Sequence, residues 1–181
     1  MINKIKPLDR ETWQGYEFPF DYTSQNYYDI EINRTDDNFN VSFIKKPFDK
    51  PYTNPLNDID KLFKPWWDDV KAWGIEENGR LVAAIETSVE EWSNNRLRVT
   101  VLWIDNAYRR KGIATALMDI AVQRAKEEKR RVIMLETQSR NEGAIGFYLA
   151  YGFSLIGFDA CAYQNNDLSR KEVRMELGIF L

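Results

Sequence analysis

The chain has 181 residues, 44% of them hydrophobic, which suits one compact domain with a core. A formal net charge of −3 argues against a protein built to hold a polyanion, so nucleic acid is not an expected partner. Histidine is absent, which excludes Ser-His-Asp and Cys-His nucleophilic machinery and HExxH zinc sites, and no metal is expected.

No stretch approaches the roughly 20 apolar residues of a membrane span, and MINKIKPLDRETW lacks the apolar run of a secretory signal. One cysteine, Cys161 between two alanines, cannot form an internal disulfide. It reads as a small core residue in a reducing, cytoplasmic setting. Membrane association is not expected, and the chain could be a monomer or a homodimer.

In chain order, residues 1–65 are aromatic, polar and rich in proline, and read as an irregular, substrate-side segment with a short helix around Leu56 to Phe63. Residues 70–105 change grammar. Two β-prone runs flank Asn78-Gly79, a pair whose residues tolerate the positive φ of a tight hairpin. Asn94-Asn95 turns into RLRVTVLWID, where Leu97, Val99, Val101 and Trp103 alternate with their neighbours as in a strand. Residues 112–128 carry Ile113, Leu117, Ile120, Ala121 and Ala125 at helical spacing. VIMLETQ is a short buried strand. A strand, helix, strand order implies parallel pairing with the strand at 97–105. A second helix covers Glu142 to Tyr151 and stops at Gly152. FSLIGF and VRMELGIF close the chain as an antiparallel pair. The expected class is α+β: a mixed, mostly antiparallel sheet with a parallel central strand pair, flanked by helices. Residues 109–158 form its central strand-and-helix core, and 159–181 its C-terminal strand region, within a single domain.

One placement is electrostatically backwards. Arg109, Arg110 and Lys111 precede the helix opened by Gly112, Ile113, Ala114 and Thr115, yet a helix N-terminus is itself positive and disfavours cations by a few tenths to about 1 kcal/mol. An anion bound there would reverse the sign, because free first-turn N–H groups and the cationic side chains would converge on it. Gly112 and the small Ala114 and Thr115 let the backbone approach such a ligand closely. GxxxxGK[ST] is absent, so this is not a nucleoside-triphosphate loop.

RRKGIA resembles the Arg/Gln-x-x-Gly-x-Gly/Ala motif of the Gcn5-related N-acetyltransferases, the GNAT superfamily. NEGAIGFYLAYGF, with Asn141, Ala144, Phe147-Tyr148 and Gly152-Phe153, resembles that family's second hallmark at the proper distance. From residue 66 onward, MLETQSRNEGAIGFYLAYGF and FDACAYQNND look like the streptothricin acetyltransferases. The resemblance implies acetyl-coenzyme A as co-substrate, with its pyrophosphate on residues Arg109 to Thr115. It implies transfer of acetyl to a cationic small-molecule amine, the β-lysine moiety of streptothricin. It also implies Tyr148 as general acid beside the coenzyme sulfur.

Acyl transfer to an amine needs a neutral nucleophile, a polarised carbonyl and a protonated leaving thiolate. An alkyl ammonium with pKa near 10.4 must first lose a proton, and without histidine a carboxylate is the natural acceptor. The family often places a Glu on the strand before the loop; here Thr100 stands in its place. Glu136, at the end of VIMLE, is the preferred base and a substrate contact, with Glu86, Glu90 and Glu91 as alternatives. Backbone N–H groups of Leu102, Trp103 and Ile104 are expected to meet the thioester carbonyl. Asn141 either bonds the pantetheine or caps the second helix. Trp66, Glu86, Asp159 and Tyr163 complete the expected substrate contacts. Transfer to an aminoglycoside, a polyamine or a protein amine, and coenzyme binding without catalysis, remain open as alternatives.

Overall fold

The structure, a computed structural model, describes residues 2–55, 59–93 and 95–181. In chain order its elements are β1 (Lys6–Leu8), α1 (Arg10–Trp13), β2 (Glu17–Pro19), β3 (Thr23–Arg34), β4 (Phe39–Thr53), β5 (Ile59–Lys61), β6 (Asp68–Glu77), β7 (Arg80–Glu90), β8 (Arg96–Ile104), α2 (Ile113–Glu127), β9 (Val132–Gln138), α3 (Glu142–Tyr151), β10 (Ser154–Asp159), α4 (Asp167–Arg170) and β11 (Arg174–Phe180). The main sheet runs β1-β6-β7-β8-β9-β11-β10, mixed, with β8 and β9 parallel. The α+β expectation holds.

Contacts divide the chain into two compact units, Met1–Phe20 with Leu56–Leu135 and Gly178–Leu181, and Asp21–Pro55 with Glu136–Leu177. In the first unit, β6 and β7 are joined by Asn78 (φ 53°) and Gly79 (φ 77°), the paired positive angles that a two-residue hairpin demands. β7 is buried from Leu81 through Glu90, flanked on both edges by β6 and β8. Against this sheet Trp13, Phe18, Leu62, Phe63 and Trp103 form an aromatic-rich core. The indole of Trp103 donates to the Pro19 carbonyl at 2.9 Å, so its one polar atom is satisfied inside that core. α2 buries Ile113, Leu117, Met118, Ala121 and Ala125 as its spacing predicts, and also Arg124. That guanidinium donates to the Thr87 hydroxyl (2.8 Å), the Asp69 carboxylate (2.7 Å) and Glu128 (2.8 Å), which together offset the cost of burying its charge.

In the second unit β3 and β4 form a long antiparallel hairpin, registered from Thr23↔Thr53 to Arg34↔Phe39. The irregular reading of residues 1–65 is therefore corrected. Alternation was present in YDIEINR, but the prolines of the partner strand mask it. Pro47 pairs with Asn26 beside a register shift, and Pro51 falls within the shift itself, where a missing N–H costs the ladder least. The expected helix near Leu56 to Phe63 is likewise not there: Ile59–Lys61 is a strand paired with Glu17–Pro19, while positions 56–58 lie outside the described residues. The expected Asn94-Asn95 turn falls partly outside them too; Asn95 has φ 63°. α3 has the predicted limits. Asn141 caps it by accepting from the Ala144 N–H at 3.2 Å, and Gly152 (φ 114°) closes it.

Candidate active site

In the first unit the segment between β8 and α2 exposes its charge. Arg109, Arg110, Lys111 and Gly112 are all exposed, and Gly112 sits at φ 76°, the left-handed region that favours glycine. No side chain caps α2 at its N-terminus, so its first-turn N–H groups face a glycine rather than a capping oxygen. Among the described residues, a Cβ built on Gly112 would meet only the Ile2 Cδ1 atom, at 3.7 Å, an ordinary contact. Lys111 Nζ donates to the Ala107 carbonyl at 2.8 Å and lies 5.1 Å from the Tyr108 ring centre; Arg109 Nε donates to the Ile104 carbonyl at 3.1 Å. These contacts turn Arg109 and Lys111 back toward the backbone between β8 and α2. The open amide cradle, the positive helix end and three exposed cations fit a diphosphate.

β8 supplies the second feature. It pairs with β9 over Arg96–Arg98 and then continues to Ile104, giving backbone beyond the parallel ladder. Against β7, Glu86 faces Val101 while Thr87 faces Val99, so Thr100 is the extra residue of a bulge. Its hydroxyl donates to Glu86 Oε1 at 2.7 Å, and the Phe63 N–H donates to Glu86 Oε2 at 2.5 Å. Glu86 is fully buried, and burial pushes its carboxyl above the ordinary range despite both hydrogen bonds. The alternatives separate from it clearly. Glu90 is buried in ion pairs with Arg96 (2.8 Å) and Arg98, and Glu91 pairs with Arg130 at 2.6 Å.

In the second unit Tyr148 is buried on α3 among Phe147 and Phe153, at ring separations of 5.5 and 5.8 Å. Burial pushes its phenol up to about 12, so it is a proton donor at any neutral pH. Elsewhere in this unit three expected substrate residues come together. Arg174 reaches Glu136 at 3.8 Å, Asp159 at 3.5 Å and Glu176 at 3.5 Å, three carboxylates around one guanidinium. Beside them Tyr163 is 40% exposed as a residue, yet local desolvation of its phenol oxygen, with the charge of Glu136, holds the phenol above its usual value. Arg174 and Glu176 escaped sequence reasoning, because alternation on VRMELGIF marks a strand without telling what its polar face meets.

A family model for the Acetyltransferase (GNAT) family matches residues 15–153. The chain belongs to that family. It is an acyltransferase, and both hallmark segments lie inside the matched span. Among curated relatives of this GNAT protein, Streptothricin acetyltransferase A of Bacillus subtilis (strain 168) is 29% identical over 134 residues, 68% of this chain and 71% of that protein. N-alpha-acetyltransferase 30 of Saccharomyces cerevisiae is 27% identical over 117 residues, 61% of this chain and 66% of the relative. In fold, the chain matches a crystal structure of a Bacillus anthracis protein, assigned to the streptothricin acetyltransferases and bound to acetyl coenzyme A, with TM-score 0.73. That match has 22% identity and covers 98% of this chain and 97% of the other.

The remaining expected residues of this GNAT chain sort as follows. The indole of Trp66 is exposed, with the Lys64 ammonium 5.4 Å from its ring centre, so a cation of the chain itself already occupies its π face. Ile113 is buried under the loop, while Ala114 is half-buried and Thr115 exposed. Leu102 and Ile104 are half-buried and Trp103 buried, leaving their contribution to the backbone. Asn141 spends its carbonyl on the helix cap, one of its two expected roles. Cys161 is exposed, not core as expected: it lies in the turn after β10, where Asp159 accepts from its N–H at 2.9 Å. Among the described residues no helix is long and apolar enough to cross a membrane.

Proposed function

We propose that this acetyltransferase transfers acetyl from acetyl-coenzyme A directly to a primary amine of streptothricin, on its β-lysine moiety, and so inactivates the antibiotic. The observation that carries the donor half is the α2 N-terminus. An uncapped helix end with three exposed bases and a left-handed glycine is unfavourable by itself and favourable once a diphosphate sits on it. Residues Arg109 to Thr115 would hold that diphosphate, and the activated thioester is what the coenzyme supplies. Backbone N–H groups of Leu102–Ile104 orient its carbonyl, which requires no side chain. Asn141, Ala144 and Phe147 would contact the pantetheine. Tyr148 stays protonated and donates a hydrogen bond to the departing thiolate. Full transfer from a phenol of about 12 to a thiolate near 8.5 is uphill, so stabilisation as donor is its role.

The acceptor half is supported by the Glu136, Asp159 and Glu176 carboxylates, whose three charges exceed the single Arg174 and favour an organic cation. Tyr163 adds an aromatic face. The likeness to Streptothricin acetyltransferase A points the same way. A second reading, acetylation of another amine such as a protein N-terminus, is favoured by the comparable identity to N-alpha-acetyltransferase 30. The test is mass spectrometry of streptothricin incubated with the protein and acetyl-coenzyme A. One added acetyl is expected. An unmodified antibiotic beside acetylated peptide or polyamine would move the assignment to the second reading.

A further inference from the structure

β8 presents Thr100 rather than a carboxylate at its bulge, and yet the carboxylate of Glu86 lies against it. Three unusual features converge on it. The bulge makes Thr100 the unpaired residue of β8, and its half-buried hydroxyl donates to Glu86 Oε1 at 2.7 Å. Phe63, a buried bulky residue, is held at φ 56°, a strained angle for any L side chain. Its N–H donates to the other oxygen, Oε2, at 2.5 Å. Glu86 itself is fully buried in the middle of β7, registered against Ala72 and Val101, with no ion pair among the described residues. A bulge and a strained backbone spent on one carboxylate are the mark of a positioned group.

We propose that Glu86 is the proton acceptor of the transfer reaction, reached through the Thr100 hydroxyl. Thr100 is the element of this pair that is not sealed from solvent, and it lies on β8 just ahead of the Leu102–Ile104 backbone. The proton balance is complete. The acceptor ammonium gives one proton to Thr100 Oγ1 as Thr100 passes its own to Glu86 Oε1, and the freed nitrogen lone pair forms the N–C bond. The C–S bond breaks, and its electron pair stays on sulfur as the thiolate. The new amide N–H sheds its extra proton to water, and Glu86 returns its proton by the same route. Apart from Thr100 and Phe63, the charged groups facing Glu86 are Asp60, which keeps its carboxyl high, and Lys64, which opposes this. Burial, the dominant influence, brings the carboxyl toward the pH at which the enzyme must work, and so makes it a better base than an exposed Glu.

The inference rests on the proposed amine acetylation, and its test separates the two. Wild type, Glu86→Gln, Thr100→Val, Thr100→Ser and Glu136→Gln are assayed with acetyl-coenzyme A and streptothricin from pH 6 to pH 10. At neutral pH an amine of pKa near 10.4 is free in only about one molecule in 2,500. Glu86→Gln is therefore expected to lose about 100-fold or more in kcat/KM at pH 7 and to regain rate tenfold per pH unit toward the pKa of the amine. Thr100→Val should follow it, Thr100→Ser should restore the wild-type profile, and Glu136→Gln should raise KM for the amine while keeping the profile. A wild-type pH profile in Glu86→Gln, or the alkaline signature in Glu136→Gln instead, overturns the proposal. If wild type leaves streptothricin unmodified, the substrate assignment fails. The base assignment is then decided by carbon-13 NMR of glutamate-labelled protein, with Glu86→Gln identifying the resonance. A Glu86 carboxyl that titrates with the exposed glutamates overturns it, whereas one raised in wild type and displaced in Thr100→Val but not in Thr100→Ser supports it. Should Glu86→Gln fail to fold, the Val and Ser variants at Thr100 carry the same comparison.

Discussion

At the scale of single residues, two side chains are polar groups placed where apolar ones would pack more cheaply. Glu86 and Tyr148 are both buried, and burial raises both. For the phenol the raise locks the proton on, which suits a donor. Tyr148→Phe keeps the ring that packs on Phe147 and Phe153 and deletes only the hydroxyl. A hydrogen bond to a charged group is worth about 1.5–3 kcal/mol, so kcat is expected to fall roughly 10-fold to 150-fold. KM for acetyl-coenzyme A should move little, because the bond forms only as the thiolate develops. Steady-state kinetics check this, and an unchanged kcat would remove Tyr148 from the chemistry. Sequence order alone marked Tyr148 through its motif. It could not mark Glu86 above Glu90 and Glu91, because what separates them is the company each keeps across the sheet.

At the scale of elements, α2 carries charge against its dipole at both ends, and the two ends resolve it differently. Glu128, the C-terminal cap, is an anion at the negative end. Partial burial pushes its carboxyl up, but hydrogen bonds from Arg124, Lys71 and Arg130 outweigh that and bring it to about 2. A carboxyl lowered on folding contributes stability above its unfolded pKa, near 4.5, which is lost as pH falls toward 2. Glu128→Gln should therefore melt at a lower temperature than wild type at pH 7, with the difference shrinking between pH 4.5 and pH 2. Calorimetry across that range checks it; a constant difference would show that the network does not hold the charge. At the N-terminal end Arg109 and Lys111 turn to backbone carbonyls and an aromatic ring, and no side chain caps the first-turn amides.

At the scale of the whole molecule, a ligand that binds only the folded chain must stabilise it. Acetyl-coenzyme A at 100 times its Kd should add about 2.7 kcal/mol, a rise of roughly 5–10 °C in melting temperature for a chain of this size. Gly112→Val places a β-branched side chain at a left-handed angle and over the amide cradle. Its own melting point should drop by the equivalent of about 1–2 kcal/mol, and the coenzyme-induced rise should vanish. A full rise in the Val variant would displace the diphosphate from this loop. The mass-spectrometric assay with streptothricin then asks the separate question of what receives the acetyl group.

Much of this was legible along the chain, because it depends on neighbours in sequence. The Asn78-Gly79 hairpin, the limits of α3 from its Asn141 and Gly152 caps, the strand Val132–Gln138 and the misplaced bases before Gly112 all follow from local chemistry. The long hairpin of β3 and β4 was hidden, since its prolines are tolerable only at a bulge, and a bulge is a property of two strands in register. The same holds for the buried carboxylate. Thr100 looked like a gap in the machinery until pairing set it against Glu86 and folding brought the Phe63 amide to the other oxygen. Pairing, register and burial join residues distant in sequence, and for that reason only the tertiary structure could set Glu86 against Thr100 and Phe63, while the linear order already placed three bases before the N-terminus of α2.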